Sequence, residues 1–255
     1  MLKRIAFFAY GVACYLVFFA TFLYAVGFIG GFGVPTTLDG APRGSLAGGI
    51  AVDAGLLALF AIQHSVMARR WFKQRWTRIV PPALERSTYV LLSSVALIVL
   101  FAFWQPLGGV VWSVTDPVGR IVLRALFAFG FGLVLISTFL INHFDLFGLR
   151  QVWLYLRGRE YTHLRFGTPG PYRLVRHPLY VGWFFAFWST PAMTYAHLLF
   201  AVATAAYILL AIQFEERDLV REHGASYEEY RRRVPMLVPF TKGERAAEGR
   251  ATSPV

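Results

Sequence analysis

Residues 5–30 read IAFFAYGVACYLVFFATFLYAVGFIG, a run of 26 residues without a charged side chain. About 20 apolar residues in a helix are enough to cross the ~30 Å hydrocarbon core of a bilayer. The run is also longer than the apolar core of a signal peptide, which has about 7–15 residues. We therefore expect it to form the first transmembrane helix of the chain.

The remainder of the chain has the composition of a membrane protein. Of the 255 residues, 56% are hydrophobic and only 15% are charged, whereas a soluble domain carries about 25% charged residues. This composition excludes a disordered, collagen-like or disulfide-stapled secreted protein. Further apolar runs cover approximately residues 46–67, 88–107, 121–142 and 179–214.

The last apolar run predicts two helices. It is interrupted at Ser189-Thr190-Pro191, where proline favours a break, so helices over 179–190 and 195–214 are expected to form a C-terminal hairpin. Together the runs predict an all-α, polytopic integral-membrane helical bundle with about five or six transmembrane helices. The predicted units are an integral-membrane domain, residues 1–240, and a disordered tail, residues 241–255.

The basic residues are distributed unevenly between the loops. The formal charge is +11, and 22 of the 25 Lys and Arg residues lie in segments on the side of the N-terminus. The opposite loops hold only Arg43 and Arg120. Such an excess is typical of cytoplasmic loops, so both termini are expected in the cytoplasm, and the charge requires no nucleic acid. The one cysteine, Cys14, permits neither a disulfide nor a cysteine-based metal site.

Two polar segments flank the hairpin on its predicted cytoplasmic side. Residues 170–182 read GPYRLVRHPLYVG, and Glu215 and Glu216 end the apolar run. Adjacent carboxylates are costly to bury there unless they are paired or bind a ligand. One interpretation is interfacial charge with ion pairs at the helix ends. The other is a cleft for a ligand with charges of both signs, such as S-adenosylmethionine, whose carboxylate suits Arg and His.

These residues carry a resemblance to a known family. Arg176-His177-Pro178, with Tyr180 and Gly182 and then Glu215-Glu216, resembles the cofactor signature of integral-membrane methyltransferases, including the isoprenylcysteine carboxyl and phospholipid methyltransferases. Three more stretches narrow the similarity to the bacterial methanethiol S-methyltransferases of the nurim-like family, over about residues 5–240. Those stretches are 63–69, 142–151 and 187–194.

The resemblance implies an enzyme of a bacterial inner membrane that faces the cytoplasm. It would methylate methanethiol to dimethyl sulfide with S-adenosylmethionine and release S-adenosylhomocysteine. Its implied partners are a small volatile thiol and the lipid bilayer, with no obligate protein partner and no metal. The residues implied to bind the cofactor are Tyr172, Arg173, Arg176, His177, Pro178, Tyr180, Gly182, Glu215 and Glu216.

Methylation of a thiol also needs a group that favours the thiolate, which is the reactive form. The candidates are His64 near the inner end of the second apolar run, and His143 with Asp145 after the fourth. A carboxylate can orient a histidine and raise its basicity, so Asp145 is expected to serve one of the two. Arg150 and Gln151 are candidates for supporting this loop. The alternative interpretations are an interfacial histidine at 64 and a helix cap at 143–145.

Two other functions remain open from the sequence. The first is methylation of a lipid-like substrate, a prenylcysteine or a phospholipid, by the same architecture. The second is a non-enzymatic or redox membrane protein in which His64 and His143 ligate a haem axially, although this leaves the Arg-His-Pro and Glu-Glu pair without a role.

Overall fold

The fold is that of a computed structural model, which describes residues 1–241 apart from 163 and 165. The predicted tail, from residue 242 on, lies outside the described residues. Within the described part, the chain forms ten α-helices, one 3₁₀ turn and two short strands. The helices are α1 (Leu2–Gly30), α2 (Leu46–Ala68), α3 (Arg70–Trp76), α4 (Pro82–Phe103), α5 (Pro117–Ile141), α6 (His143–Leu146), α7 (Leu149–Leu156), α8 (Pro178–Trp188), α9 (Tyr195–His223) and α10 (Ala225–Arg233).

Five of these helices, α1, α2, α4, α5 and α9, are long and apolar enough to cross a membrane. The predicted polytopic helical bundle is therefore confirmed. Ser45 and Asp116 begin α2 and α5 by accepting hydrogen bonds from Gly48 N and Gly119 N, as capping residues do. Proline at the first position of α5 likewise suits a helix start.

The C-terminal hairpin differs in detail from the sequence prediction. Its first helix, α8, has only 11 residues, or about 16 Å of helix, and extended residues complete the path to α9. The second helix, α9, continues to His223, nine residues beyond its predicted end. Glu215 and Glu216 consequently lie within a continuous helix, which fixes their direction relative to α8.

A two-stranded antiparallel sheet is the exception to the all-α prediction. Strand β1 (Val110–Ser113) lies between α4 and α5, and strand β2 (Ala192–Thr194) lies between α8 and α9. β-Branched residues favour the extended form in β1, and Pro191 ends the preceding helical segment. The sheet joins the two connections at one end of the bundle, about 31 Å along α9 from Glu216.

Helices α5 and α8 pack backbone against backbone at two glycines. A β-carbon on Gly130 would lie 2.5 Å from Ala186 N and 2.7 Å from Gly182 O, and one on Gly182 would lie 2.8 Å from Gly130 O. No side chain fits in either place. The glycines thus set the distance between α8, which carries the polar motif at its start, and the transmembrane helix α5.

We expect Gly182→Ala to lower the thermal unfolding midpoint of the detergent-purified protein. The added methyl group would meet backbone atoms of α5, and overpacking of this kind costs about 1–3 kcal/mol. The matched control is Gly132→Ala, since a β-carbon at Gly132 would meet no atom within 4 Å. Equal midpoints for the two variants would contradict the proposed close packing of α5 and α8.

Candidate functional site

The 170–182 motif and the C-terminal third of α9 meet at one end of the bundle. Gly170–Arg173 form a 3₁₀ turn, and Pro178 begins α8 directly after His177. The main-chain N–H groups of Arg176 and His177 donate to the carbonyl oxygens of Pro235 and Met236, at 2.8 and 3.2 Å. The motif is therefore held between α9 and the segment that follows α10.

Arg176, His177 and Glu216 form a buried charged cluster. Arg176 Nε donates to Glu216 Oε1 at 2.7 Å, and His177 Nε2 donates to the same oxygen at 3.0 Å. The three residues are only 3–6% exposed. A buried ion pair contributes little net stability because desolvation opposes the attraction between the charges. Its presence at a helix end therefore favours a binding role over a purely stabilising one.

Glu215 lies beside this cluster and is more exposed to solvent than Glu216. Its side chain is 45% exposed, and its Oε2 lies 3.9 Å from His177 Nδ1. The hydroxyl of Tyr180 donates to the same oxygen at 2.8 Å. Glu215 thus has one fixed partner and remains accessible to a ligand, whereas Glu216 is enclosed.

Helix α10 covers the motif. The Tyr230 hydroxyl donates to Tyr172 O at 2.6 Å, and the Arg176 guanidinium donates to Arg231 O and Val234 O at 2.9 Å each. Arg231 also lies 3.9 Å from the second oxygen of Glu216. The carbonyl partners of Arg176 were not predictable from the sequence, because a main-chain acceptor has no signal in side-chain identity.

Two of the residues expected to bind the cofactor, Arg173 and Gly182, lie outside the Arg176–His177–Glu216 cluster. Arg173 is exposed and lies outside the buried cluster. Gly182 was expected to allow close approach of the cofactor, but its close approach in the structure is to the backbone of α5. The absence of a side chain at 182 therefore serves helix packing, and a role of Gly182 in cofactor binding stays a prediction.

His64 lies in a second polar cluster, inside the bundle between α2 and α4. The Tyr89 hydroxyl is 3.0 Å from both ring nitrogens of His64, and Ser93 Oγ is 3.3 Å from Nδ1. The ring stacks on Phe60, with centroids 5.2 Å apart. Nε2 therefore has only the Tyr89 hydroxyl as a partner among the described residues, and Nδ1 has Ser93 at the longer distance.

Helix α9 contributes to both clusters. It carries Glu215 and Glu216, and two turns earlier it carries Tyr207, whose hydroxyl oxygen lies 3.1 Å from that of Ser65, the neighbour of His64. Polar groups at this depth in an apolar bundle are expensive and are typical of functional sites.

His143 is enclosed by aromatic rings and uses both ring nitrogens. Thr138 Oγ1 donates to Leu135 O at 2.6 Å and so accepts from His143 Nδ1 at 2.8 Å. His143 Nε2 therefore accepts from the Tyr15 hydroxyl at 2.9 Å. Burial lowers the pKa of His143, so its ring is neutral near pH 7. These contacts are typical of a residue that positions α6 against α1 and α5.

Asp145 does not pair with either histidine in the described part of the chain, contrary to the sequence expectation. The helix does break before it, at Asn142, where φ is +97°. However, Asp145 Oδ1 accepts from Arg150 at 2.9 Å and from Gln151 at 3.4 Å, and Oδ2 accepts from Tyr161 at 3.2 Å. The break turns the carboxylate towards α7, where the nearby cation stabilises it better than a neutral imidazole would.

Arg150 and Gln151 form hydrogen bonds within this loop, and their expected role in holding the loop against the cofactor stays a prediction. Arg150 donates through two nitrogens to Thr162, to its carbonyl at 2.8 Å and to its hydroxyl at 2.7 Å. The contacts join α6, α7 and the segment after α7. We therefore assign Arg150 and Gln151 to holding Asp145 and the loop, at a place that no described contact joins to the Arg176 cluster.

The histidine geometry argues against axial haem ligation by His64 and His143. Such ligation requires a ring nitrogen on each histidine with its lone pair directed at iron. Both nitrogens of His143 instead lie within hydrogen-bond distance of protein hydroxyls.

Sequence reasoning did not identify the tyrosines and hydroxyls around the histidines. The signal that was present is polar side chains inside otherwise apolar helices, in places at helical spacing such as 89 and 93. The residues missed in this way are Tyr15, Ser65, Tyr89, Ser93, Thr138 and Tyr207.

Comparison with known proteins yields close relatives. The chain is 58% identical over 231 residues to a methanethiol S-methyltransferase of Crocosphaera subtropica, covering 91% of each protein. It is 53% identical over 239 residues to a methanethiol S-methyltransferase of Mycobacterium tuberculosis, covering 94% of this chain and 98% of the relative. Nurim of Xenopus laevis is more distant, at 31% identity over 66% of this chain and 62% of its own length. No family model matches the chain, and no solved structure matches it.

Proposed function

The chain belongs to the methanethiol S-methyltransferase family, and we propose that it methylates methanethiol to dimethyl sulfide with S-adenosylmethionine as the methyl donor. The proposal rests on identities of about half or more over nearly the whole chain. It is supported by an arrangement of charged residues that fits the donor. The roles assigned below to individual residues are part of the same proposal.

The observation that carries the donor assignment is the Arg176–Glu216–His177 cluster beside the accessible Glu215. When bound, S-adenosylmethionine supplies an electrophilic methyl group on a sulfonium centre. Its amino-acid part carries a carboxylate and an ammonium, and this end of the bundle offers cations and carboxylates side by side. We propose that Glu215, held by Tyr180, binds the ammonium or the ribose hydroxyls, and that Arg176, His177 and Glu216 line the pocket.

The acceptor side is proposed at the His64 cluster. A small thiol has a pKa of about 8.5 at best, so little thiolate forms at neutral pH without a base. His64 would take the proton from the thiol sulfur through its ring nitrogen, while the phenol of Tyr89 holds the ring in place. The apolar surroundings, including Phe60, suit a small volatile substrate and keep water away from the thiolate.

The proposed base differs from the His–Asp group that the sequence suggested. His143 has both nitrogens engaged, and Asp145 is bonded to Arg150, Gln151 and Tyr161. We propose that these residues shape the loop between α5 and the motif, so that their effect on the reaction is indirect. His64 then acts without a carboxylate partner in the described part of the chain.

We propose that the site faces the cytoplasm of a bacterial inner membrane. The support is the concentration of Lys and Arg in the segments on the side of the N-terminus, which is the distribution of cytoplasmic loops. The Arg176 cluster lies among those segments, so a donor made in the cytoplasm reaches the site without crossing the bilayer.

The function is tested by incubating the detergent-solubilised protein with S-adenosylmethionine and methanethiol and measuring dimethyl sulfide in the headspace. We expect product formation that depends on both substrates and is lost in the double variant His177→Ala, Glu215→Ala. Product at the level of this variant would refute the proposal. A labelled methyl group that appears in added phospholipid or prenylcysteine instead would point to a lipid-like substrate.

A further inference from the structure

Helix α10 contains a buried tyrosine whose hydroxyl group has no role in the packing of the fold. Tyr227 is 1% exposed, and its hydroxyl has no hydrogen-bond partner among the residues that the structure describes. Its ring contacts those of Tyr230 and Phe166, each with centroids 5.8 Å away. The ring is thus packed as an apolar side chain, while its polar end is left without a bond.

The helix that carries this hydroxyl contacts the charged groups of the candidate site. Tyr227 lies one helical turn before Arg231, whose carbonyl oxygen accepts from Arg176 and whose side chain lies 3.9 Å from Glu216. Its neighbour Tyr230, three residues further on, donates its own hydroxyl to Tyr172 O at 2.6 Å. One tyrosine of the pair therefore ties α10 to the motif, and the other keeps a hydroxyl without a partner one turn from the contact with Arg176.

A buried hydroxyl without a partner destabilises a fold, because it has lost its bonds to water and gained none. Burial also raises the pKa of the Tyr227 phenol, so the group stays protonated and remains a hydrogen-bond donor. A phenylalanine would fill the same space without this penalty. A ligand that bonds to the hydroxyl explains why the chain keeps it.

We propose that Tyr227 donates a hydrogen bond to the amino-acid end of the bound methyl donor, to an oxygen of its carboxylate. The inference rests on the proposed function. The amino-acid end is favoured over the nucleoside because Arg176 and Glu216 contact Arg231 on the next turn of α10, and ionised groups of both signs complement an ammonium and a carboxylate. Helix α10 thereby contributes directly to ligand binding, in addition to covering the motif.

The test compares Tyr227→Phe with the wild type in detergent, using S-adenosylhomocysteine as the probe. We expect the variant to bind it about five- to tenfold more weakly, since a single hydrogen bond is lost. In the absence of ligand we expect its thermal unfolding midpoint to be unchanged or a few degrees higher, since the hydroxyl without a partner is gone. Tyr195→Phe, at the exposed opposite end of α9, is the control and should change neither quantity.

A third measurement uses 5′-methylthioadenosine, which lacks the amino-acid part. We expect Tyr227→Phe to bind it as the wild type does, and an equal loss for both probes would overturn the assignment to the carboxylate. Unchanged affinity for S-adenosylhomocysteine would overturn the contact itself. A lower midpoint together with weaker binding would overturn it too, because the hydroxyl would then be holding the fold. If the wild type does not bind S-adenosylhomocysteine, the proposed function fails first and this inference with it.

Discussion

Glu216→Ala is expected to abolish donor binding and to destabilise the protein at the same time. Glu216 Oε1 is the common acceptor for Arg176 and His177, and Arg176 is almost completely enclosed. Removing the carboxylate breaks this buried ion pair by one of its members, which costs about 3–5 kcal/mol. We expect a clearly lower thermal unfolding midpoint and no measurable binding of S-adenosylhomocysteine.

Glu215→Ala is the matched control, because it removes the neighbouring carboxylate from an accessible place. It should weaken binding while leaving the unfolding midpoint nearly unchanged, since exposed ion pairs contribute about 0–1 kcal/mol. The two variants together separate the role of the pair in folding from its role in binding. If Glu216→Ala unfolds at the wild-type temperature and binds the donor product normally, the cluster has neither role.

His64→Phe is expected to reduce kcat by about 10²–10⁴, the usual contribution of a general base. Phenylalanine keeps the stacking on Phe60 but cannot accept a proton. Affinity for S-adenosylhomocysteine should stay within about twofold of the wild type. The quantities to measure are the rate of dimethyl sulfide formation at saturating donor and, separately, the binding of the donor product.

His143→Phe distinguishes the two candidate bases. This change removes two hydrogen bonds between buried groups and leaves Thr138 and Tyr15 to find new partners, so its main effect is expected on the unfolding midpoint. If instead His143→Phe removes the rate without lowering the midpoint, and His64→Phe leaves the rate intact, the base is His143. Loss of donor binding in His64→Phe would place His64 in the donor pocket.

Those parts of the fold that depend on the local composition of the chain were predictable from the sequence. Apolar length located the transmembrane helices, and Pro191 located the break in the hairpin, because both act through local physics. The β1–β2 pairing was missed because it joins residues about 80 positions apart, and short β-branched runs in loops carry little signal. The extra length of α9 was missed because charged residues were taken to end the helix, whereas α9 continues through them.

The candidate site was predictable to the extent that its residues lie in one motif. Arg176, His177 and Glu216 were expected to meet because a hairpin returns to its own starting side, and they do. The partner of Asp145 was not predictable, since the two residues between it and Gly148 do not reveal which way the chain turns at Asn142. The packing of Gly182 on α5 was not predictable for a related reason, because a glycine indicates close approach without identifying the group that approaches.

The hydrogen bonds that hold the motif also govern the order of assembly. Arg176 donates to the carbonyls of residues 231 and 234, and the main chain of 176 and 177 donates to residues 235 and 236. All of the long helices precede these acceptors in the chain, so they can enter the bilayer while the pocket is still open. The guanidinium receives the carbonyl acceptors of residues 231 and 234 only when this part of the chain has been synthesised. Within the described residues the pocket consequently closes after the long helices have formed, and a nascent chain that stops before α10 has helices in the membrane but no closed site.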